Sequence, residues 1–213
     1  MSWFPSAIGS SVGKKLLMAL TGLAFIGFLA AHLAGNFAIY AGKAAFNGYA
    51  EKLQSLGPLL YVFRAGLIVF AVVHITTGLV LFLQNRKARP VSYTTYASAG
   101  GRTLSSRTMP YTGLIILAFV VFHLFHFTFV DKTAATIFDL VTVAFNRPGV
   151  TALYAVAMVI VALHVRHGFW SAFQTIGANH PKYMPAVSVL SLAAGWAVAA
   201  GFGLLPIVVS LIY

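Results

Sequence analysis

Five long apolar stretches dominate this sequence, at about residues 15–41, 58–84, 110–130, 150–174 and 186–212. A helix that crosses a membrane needs about 20 mostly apolar residues in a row, and each stretch is long enough. The composition agrees, because 60% of the 213 residues are hydrophobic and only 8% are charged, whereas soluble domains are about a quarter charged. The sequence therefore predicts one all-α membrane domain over residues 1–213, with five transmembrane helices.

The helix starts are predicted from proline, which costs little in a first helical turn because its missing N–H has no partner there. Pro58, Pro110 and Pro148 are accordingly predicted to open the second, third and fourth helices. The basic pair Lys14 and Lys15 precedes the first apolar stretch as in a signal peptide. That stretch is too long for a signal peptide and fits a first transmembrane helix.

The charges predict the orientation. The formal net charge of +11 would indicate nucleic acid in a soluble domain, but in so apolar a chain it marks cytoplasmic loops, and no nucleic-acid partner is expected. One side of the predicted bundle has bases and no acids: Lys14, Lys15, Arg86, Lys87, Arg89, Arg102, Arg107 and Lys182. The other side has both: Lys43, Lys52, Lys132 and Arg147 with Glu51, Asp131 and Asp139. The N-terminus is thus expected in the cytoplasm and Tyr213 outside.

Histidine is the residue type in this sequence that indicates a cofactor-binding site. The chain has 7 histidines and no cysteine, so cysteine-ligated clusters are excluded. Six histidines fall inside the predicted helices, at positions 32, 74, 123, 126, 164 and 167. Ionisable residues inside a bilayer are costly and usually functional. Axial ligation of haem iron by paired imidazoles explains them best, since a carboxylate-bridged metal pair would need acids that these helices lack.

The depths of the histidines suggest two pairs. With a rise of about 1.5 Å per residue from the cytoplasmic edge, His32 and His123 lie roughly 20–25 Å deep, and His74 and His164 lie near 15 Å. His126 and His167 each follow one of these by three residues and share its helix face, so spacing alone does not choose between them. Arg166 either extends to the membrane surface or pairs with a haem propionate.

At these residues the chain resembles the two-haem cytochrome b membrane anchor of succinate dehydrogenase and fumarate reductase. The resemblance covers nearly the whole chain. Its most specific segments are residues 10–22 (SSVGKKLLMALTG), 32–36 (HLAGN), 84–89 (QNRKAR), 106–127 (SRTMPYTGLIILAFVVFHLFHF) and 163–177 (LHVRHGFWSAFQTIG).

The resemblance implies five helices and two b-type haems. It assigns His74 and His164 to an inner haem and His32 with His123 to an outer one, which leaves His126 and His167 as neighbours of the ligands. It also implies partners: an iron–sulfur subunit, a flavoprotein subunit with FAD and the succinate/fumarate site, and a membrane quinone, usually menaquinone. The basic loop at residues 85–109 is the expected docking surface, and the expected location is a bacterial cytoplasmic membrane.

Three points stay open in the sequence. Some fumarate reductases that the chain resembles carry a Glu two residues before the fourth-helix ligand, where this chain has Ala162, which favours succinate oxidation. Glu51, Gln54 and Arg64 are candidates for a quinone site. The competing functions are a haem-free anchor of the same complex and a transporter that relays protons through its histidines.

Overall fold

The computed structural model describes residues 3–88 and 104–213, and these residues form helices and no strands. The α-helices are Trp3–Gly9 (α1), Ser11–Asn36 (α2), Lys43–Gln54 (α3), Pro58–Lys87 (α4), Leu104–His123 (α5), Ile137–Phe145 (α6), Pro148–Thr175 (α7), Met184–Trp196 (α8) and Gly203–Ile212 (α9). A 3₁₀ turn, Phe37–Ala41, extends α2. A π-helical turn, Leu124–Thr128, extends α5, and a second, Ala197–Phe202, joins α8 to α9.

Five helical segments are long and apolar enough to cross a membrane: Ser11–Ala41, Pro58–Lys87, Ser105–Thr128, Pro148–Thr175 and Met184–Ile212. The predicted all-α class and the five spans are therefore confirmed. The predicted boundaries differ from the observed ones by a few residues, because helical structure continues into the polar ends of each segment.

Two of the three predicted proline starts are confirmed. Pro58 and Pro148 lie in the first turns of α4 and α7. The prediction for Pro110 is wrong, because α5 begins at Leu104 and contains Pro110 in its interior. Proline holds φ near the helical value, so residues before it can also be helical at the cost of one hydrogen bond, and membrane helices tolerate that loss.

Two short helices, α3 and α6, lie in connections between the spans, where the sequence predicted no helix. A capping box starts α6: the Thr136 hydroxyl accepts from the Asp139 N–H, and the Asp139 carboxylate accepts from the Thr136 N–H. The two helices contact each other through Lys43 Nζ, which donates to Asp139 Oδ1 at 2.7 Å, and through Asn47 Oδ1, which accepts from the Phe138 N–H at 3.1 Å.

The C-terminus joins this same end of the bundle. The Tyr213 hydroxyl donates to the carbonyl of Ile39 at 3.1 Å, and its ring meets Phe138 edge to face. Ile39 lies near the far end of the first span, Ser11–Ala41, so Tyr213 lies at the opposite end of the bundle from Ser11. The end that contains α3, α6 and Tyr213 is called the α3/α6 end below, and the other end is called the Ser11 end.

The helix α7 is the centre of the packing. It contacts α2, α5, α8 and α9, while α4 packs mainly on α2. In the most apolar stretch of each span, 33% of the residues are buried within the protein in α7 and 11% in α4. Side chains of α2 and α5 that point toward α7 are therefore brought to the middle of the bundle.

Candidate metal centres formed by two histidine pairs

The first histidine pair joins α4 to α7. The ring centroids of His74 and His164 are 6.5 Å apart, and the ring planes make an angle of 63°. Glycines of the two neighbouring helices lie against these rings. A Cβ added at Gly22 of α2 would lie 3.2 Å from His74 Cε1, and one at Gly113 of α5 would lie 3.5 Å from His164 Cε1. The absence of a side chain at Gly22 therefore lets α2 approach the His74 ring closely, whereas a Cβ at position 113 would make an ordinary van der Waals contact.

The Nδ1 atoms of this pair are held by hydrogen bonds. His74 Nδ1 lies 3.1 Å from the Met18 carbonyl and 3.1 Å from Thr21 Oγ1. A carbonyl only accepts, so Nδ1 carries the proton, and the Thr21 hydroxyl is free to donate to Leu17 O at 2.7 Å. In this tautomer the lone pair available to a metal is on Nε2.

His164 is held in a similar way by a threonine of α5. Its Nδ1 lies 3.0 Å from Thr112 Oγ1, and that hydroxyl also reaches the Met109 carbonyl at 3.1 Å. When the hydroxyl donates to the carbonyl, it accepts from His164 Nδ1–H. The second imidazole then also presents Nε2 as its free ligand atom.

The second pair joins α2 to α5. The ring centroids of His32 and His123 are 6.0 Å apart, and the ring planes make an angle of 84°. Aromatic rings surround this pair: Phe28 stacks on His32 at 5.4 Å, Phe119 stacks on His123 at 6.1 Å, and Phe202 lies 5.6 Å from His32.

The two remaining candidate histidines lie beside the pairs. His126 Nδ1 is 3.1 Å from the Tyr154 hydroxyl of α7, and the same hydroxyl is 3.4 Å from His123 Nδ1. The His167 ring lies 6.2 Å from the Trp170 ring. The structure thus places the His123 ring beside His32 and the His164 ring beside His74. His126 and His167, the alternatives that spacing left open, are not part of these two ring contacts.

The spacing of both pairs suits two imidazoles that share one metal ion. A metal–nitrogen bond of about 2.0–2.1 Å and a nitrogen-to-centroid distance of about 1.15 Å place the two centroids roughly 6.3–6.5 Å apart when the metal lies between them. The observed 6.5 Å lies at the upper end of that range, and the observed 6.0 Å is slightly shorter than its lower end. Rotation about the nitrogen–metal–nitrogen axis leaves the angle between the rings free, so 63° and 84° are both compatible.

The number of ligand side chains at each pair limits which kind of metal group could bind there. Across residues 3–88 and 104–213, no three His, Cys, Asp or Glu side chains come together as a metal-ion site. Each pair therefore offers two ligands, and a bound ion would need its other ligands from elsewhere. A metal in a macrocycle, such as haem iron, brings its own equatorial nitrogens and needs only axial ligands from the protein. The residues present fit that group.

The other predicted site residues do not gather at either pair. Glu51 and Gln54 are exposed on α3, and Arg64 is exposed near the start of α4 with its guanidinium 5.6 Å from the centre of the Tyr61 ring. Arg166 is also exposed, and its Cβ lies close to Gly195 of α8. The quinone role of the first three residues and the propionate role of Arg166 stay predictions.

The predicted basic docking loop is described only at its two ends. Arg86, Lys87 and Arg107 are exposed at the Ser11 end of the bundle, together with Lys15 and Lys182. Arg89 and Arg102 lie outside the described residues, so their part in the predicted surface stays a prediction.

Sequence reasoning did not identify Thr21, Thr112 and Tyr154 as residues of the site. The sequence feature that these three residues share is a hydroxyl inside an otherwise apolar span. In the structure each hydroxyl contacts a histidine ring. Each buried imidazole has a second nitrogen that needs a polar partner, so a hydroxyl within an apolar span is a candidate for that role. No family model, curated protein or solved structure matches this chain.

Proposed function

We propose that this chain is the membrane-anchor and electron-transfer subunit of a succinate:quinone oxidoreductase and that it carries two bis-histidine b-type haems. The observation that carries the proposal is the presence of two neighbouring imidazole pairs, with ring centroids 6.5 Å and 6.0 Å apart, a spacing that suits a metal between the rings. In the His74–His164 pair, hydrogen bonds to Nδ1 also leave Nε2 as the ligand atom.

The two pairs lie at different depths in the bundle. The His74–His164 pair is called the inner pair below, and the His32–His123 pair the outer pair. On α2, Thr21 at the inner pair and His32 of the outer pair are separated by about 11 residues, or roughly 16 Å at 1.5 Å per residue. On α7, Tyr154 at the outer pair and His164 at the inner pair are separated by about 10 residues, or roughly 15 Å. Two centres at two levels suit passage of electrons through the thickness of a membrane.

The residues of the chain would perform defined tasks. Bound haem would supply reversible one-electron chemistry at its iron. His74, His164, His32 and His123 would supply the axial nitrogens. Met18, Thr21 and Thr112 orient the inner pair, and the apolar walls of the four helices exclude water from both pairs, which tunes the potential of such a group.

The wider assignment rests on the resemblance of the sequence. The basic Ser11 end would face the cytoplasm of a bacterium and dock the iron–sulfur subunit, which carries the FAD-containing flavoprotein. Electrons would pass between these partners and a membrane quinone, for which menaquinone is proposed. Alanine at position 162 favours succinate oxidation as the physiological direction within the respiratory chain and the tricarboxylic acid cycle.

The decisive measurement is a dithionite-reduced minus oxidised optical spectrum of the purified chain, combined with pyridine haemochrome quantitation. We expect about two b-type haems per chain, one for each imidazole pair. Absence of haem from folded protein assembled with its partners would overturn the proposal. That outcome would favour a haem-free anchor or a proton-relay transporter, which proton uptake in vesicles would distinguish.

Two further variants test the choice of ligands. His126→Ala and His167→Ala remove the histidines that lie beside the pairs, and we expect both variants to keep two haems. A variant with one haem per chain would show that the removed histidine, and not its neighbour three residues earlier, is the ligand.

A further inference from the structure

The hydroxyl of Tyr154 lies between two histidines in the interior of the bundle. It is 3.4 Å from His123 Nδ1 and 3.1 Å from His126 Nδ1, and the residue is 6% exposed. A buried hydroxyl in a membrane must be satisfied within the protein, because lipid offers no hydrogen bonds. The two imidazoles are its hydrogen-bond partners in the structure.

Packing holds the Tyr154 ring in place. Phe119 of α5 and Phe145 of α6 meet it edge to face, each with its centroid 5.1 Å away. The π-helical turn Leu124–Thr128 contains His126, so the irregular end of α5 brings this second histidine to the hydroxyl. A Phe in place of Tyr154 would keep these ring contacts and lose only the hydroxyl.

The protons of this group can be assigned by counting donors, an argument that rests on the proposed function. If His123 binds a metal through Nε2, its Nδ1 carries a proton and must donate it. The Tyr154 oxygen is then the acceptor, and the single Tyr154 proton is left for His126 Nδ1. His123 Nδ1 thus donates to the Tyr154 oxygen, and the Tyr154 hydroxyl donates to His126 Nδ1. Each of the two protons takes part in one hydrogen bond.

We propose that Tyr154 is a positioning residue for the outer haem, which holds His123 in its ligating orientation and tautomer and, with His126 as its own acceptor, sets the potential of that haem. An imidazole that donates its Nδ1–H to a good acceptor is a more basic ligand and favours ferric iron. The bond from Tyr154 to His126 strengthens the Tyr154 oxygen as an acceptor, because hydrogen bonds in a chain polarise one another.

The test is a redox titration of Tyr154→Phe, in which optical spectra follow the two haems separately. The outer haem is identified as the one that His32→Ala removes. We expect two haems in Tyr154→Phe, and an outer potential raised by about 59 mV, which corresponds to a tenfold shift toward ferrous iron for a one-electron couple. The inner potential is expected to stay at the wild-type value.

The matched control is Thr112→Val, which removes the corresponding hydroxyl at His164. It should shift the inner haem and leave the outer haem unchanged. His126→Ala is a second test that does not require the Tyr154 substitution to fold. In that variant we expect a smaller rise of the outer potential, because the Tyr154 oxygen remains as acceptor but is less polarised.

The outcomes separate this proposal from the proposed function. If the wild-type chain binds no haem, the proposed function fails first. If two haems are present and the outer potential is unchanged in Tyr154→Phe, or in His126→Ala should Tyr154→Phe not fold, the positioning role is overturned while the proposed function stands. Equal shifts of both haems in Tyr154→Phe would indicate a general packing effect and would also overturn it.

Discussion

The two histidine pairs are held by different means. At the inner pair, the Nδ1 atoms of His74 and His164 bond to nearby threonine hydroxyls and, for His74, to a backbone carbonyl of α2. At the outer pair, His123 reaches the Tyr154 hydroxyl, which also reaches His126. The inner pair is thus held by a carbonyl and threonine hydroxyls of neighbouring helices, whereas His123 of the outer pair is held by a chain of two side chains.

The difference follows from the packing of the two levels. At the inner level, Gly22 lets α2 approach the His74 ring closely and Gly113 places α5 beside the His164 ring, and backbone and threonine groups are then within reach. At the outer level, α5 turns π-helical and large aromatic side chains fill the space, and the long polar side chain of Tyr154 on α7 reaches His123. The same requirement, a partner for a buried N–H, is met in two ways.

The largest expected effect is the separate loss of one haem. His74→Ala or His164→Ala should remove the inner haem and keep the outer one, because each of these histidines has its partner ring within the inner pair. His32→Ala or His123→Ala should do the reverse. Haem quantitation should fall from about two per chain to about one. Loss of the same haem from a variant of each pair would contradict the separation of the two levels.

A smaller effect is expected where α2 approaches the inner pair. Gly22→Leu would place a side chain against the His74 ring, and such overpacking costs about 1–3 kcal/mol. We expect a lower occupancy of the inner haem and a normal outer haem, measured by haem titration of the purified variant.

The control for Gly22→Leu is Gly27→Leu on the same helix, where an added Cβ meets no atom within 4 Å. Both substitutions raise helix propensity by about 1 kcal/mol, so the contact with His74 is what distinguishes them. Equal haem occupancy in the two variants would show that Gly22 is not needed for the approach of α2.

The smallest expected effect concerns the α3/α6 end, which lies beyond the outer pair. The hydrogen bond from Lys43, followed by that from Thr136, lowers the pKa of the Asp139 carboxyl. A lowered pKa means that this ion pair contributes stability above the ordinary pKa of an aspartate, and that the contribution is lost as pH falls through the lowered value. Because both side chains are exposed, the contribution is small.

We therefore expect Asp139→Asn to melt slightly below the wild type at neutral pH and at the same temperature as the wild type in acid, when Tm is measured against pH in detergent. Glu51→Gln, which removes an exposed carboxylate from the same end, is the control and should follow the wild type more closely. A difference between Asp139→Asn and the wild type that persists in acid would show that the carboxylate acts through the α6 capping box instead.

Much of the architecture could be predicted from the sequence because lipid imposes simple rules. Long apolar stretches gave the five spans, and Pro58 and Pro148 gave two helix starts. Pro110 gave a wrong start, because a proline marks a first turn only when no residues before it continue the helix. The helices α3 and α6 were not predicted, although the Thr136–Asp139 capping box is a local signal for the start of α6. Their contacts with each other and with the C-terminus join distant parts of the chain, which no local pattern reveals.

By itself, the sequence determined which helices are long and apolar enough to cross a membrane and which histidines lie within them, because hydropathy and a rise of about 1.5 Å per residue are local properties. Spacing alone could not choose between His123 and His126, which share a helix face, and only the resemblance assigned the ligand role to His123. Only the tertiary structure places His123 beside His32 and gives His126 to Tyr154. The physical reason is that the partner of a buried nitrogen depends on how neighbouring helices are rotated and how closely they approach, and both are set by packing between distant parts of the chain.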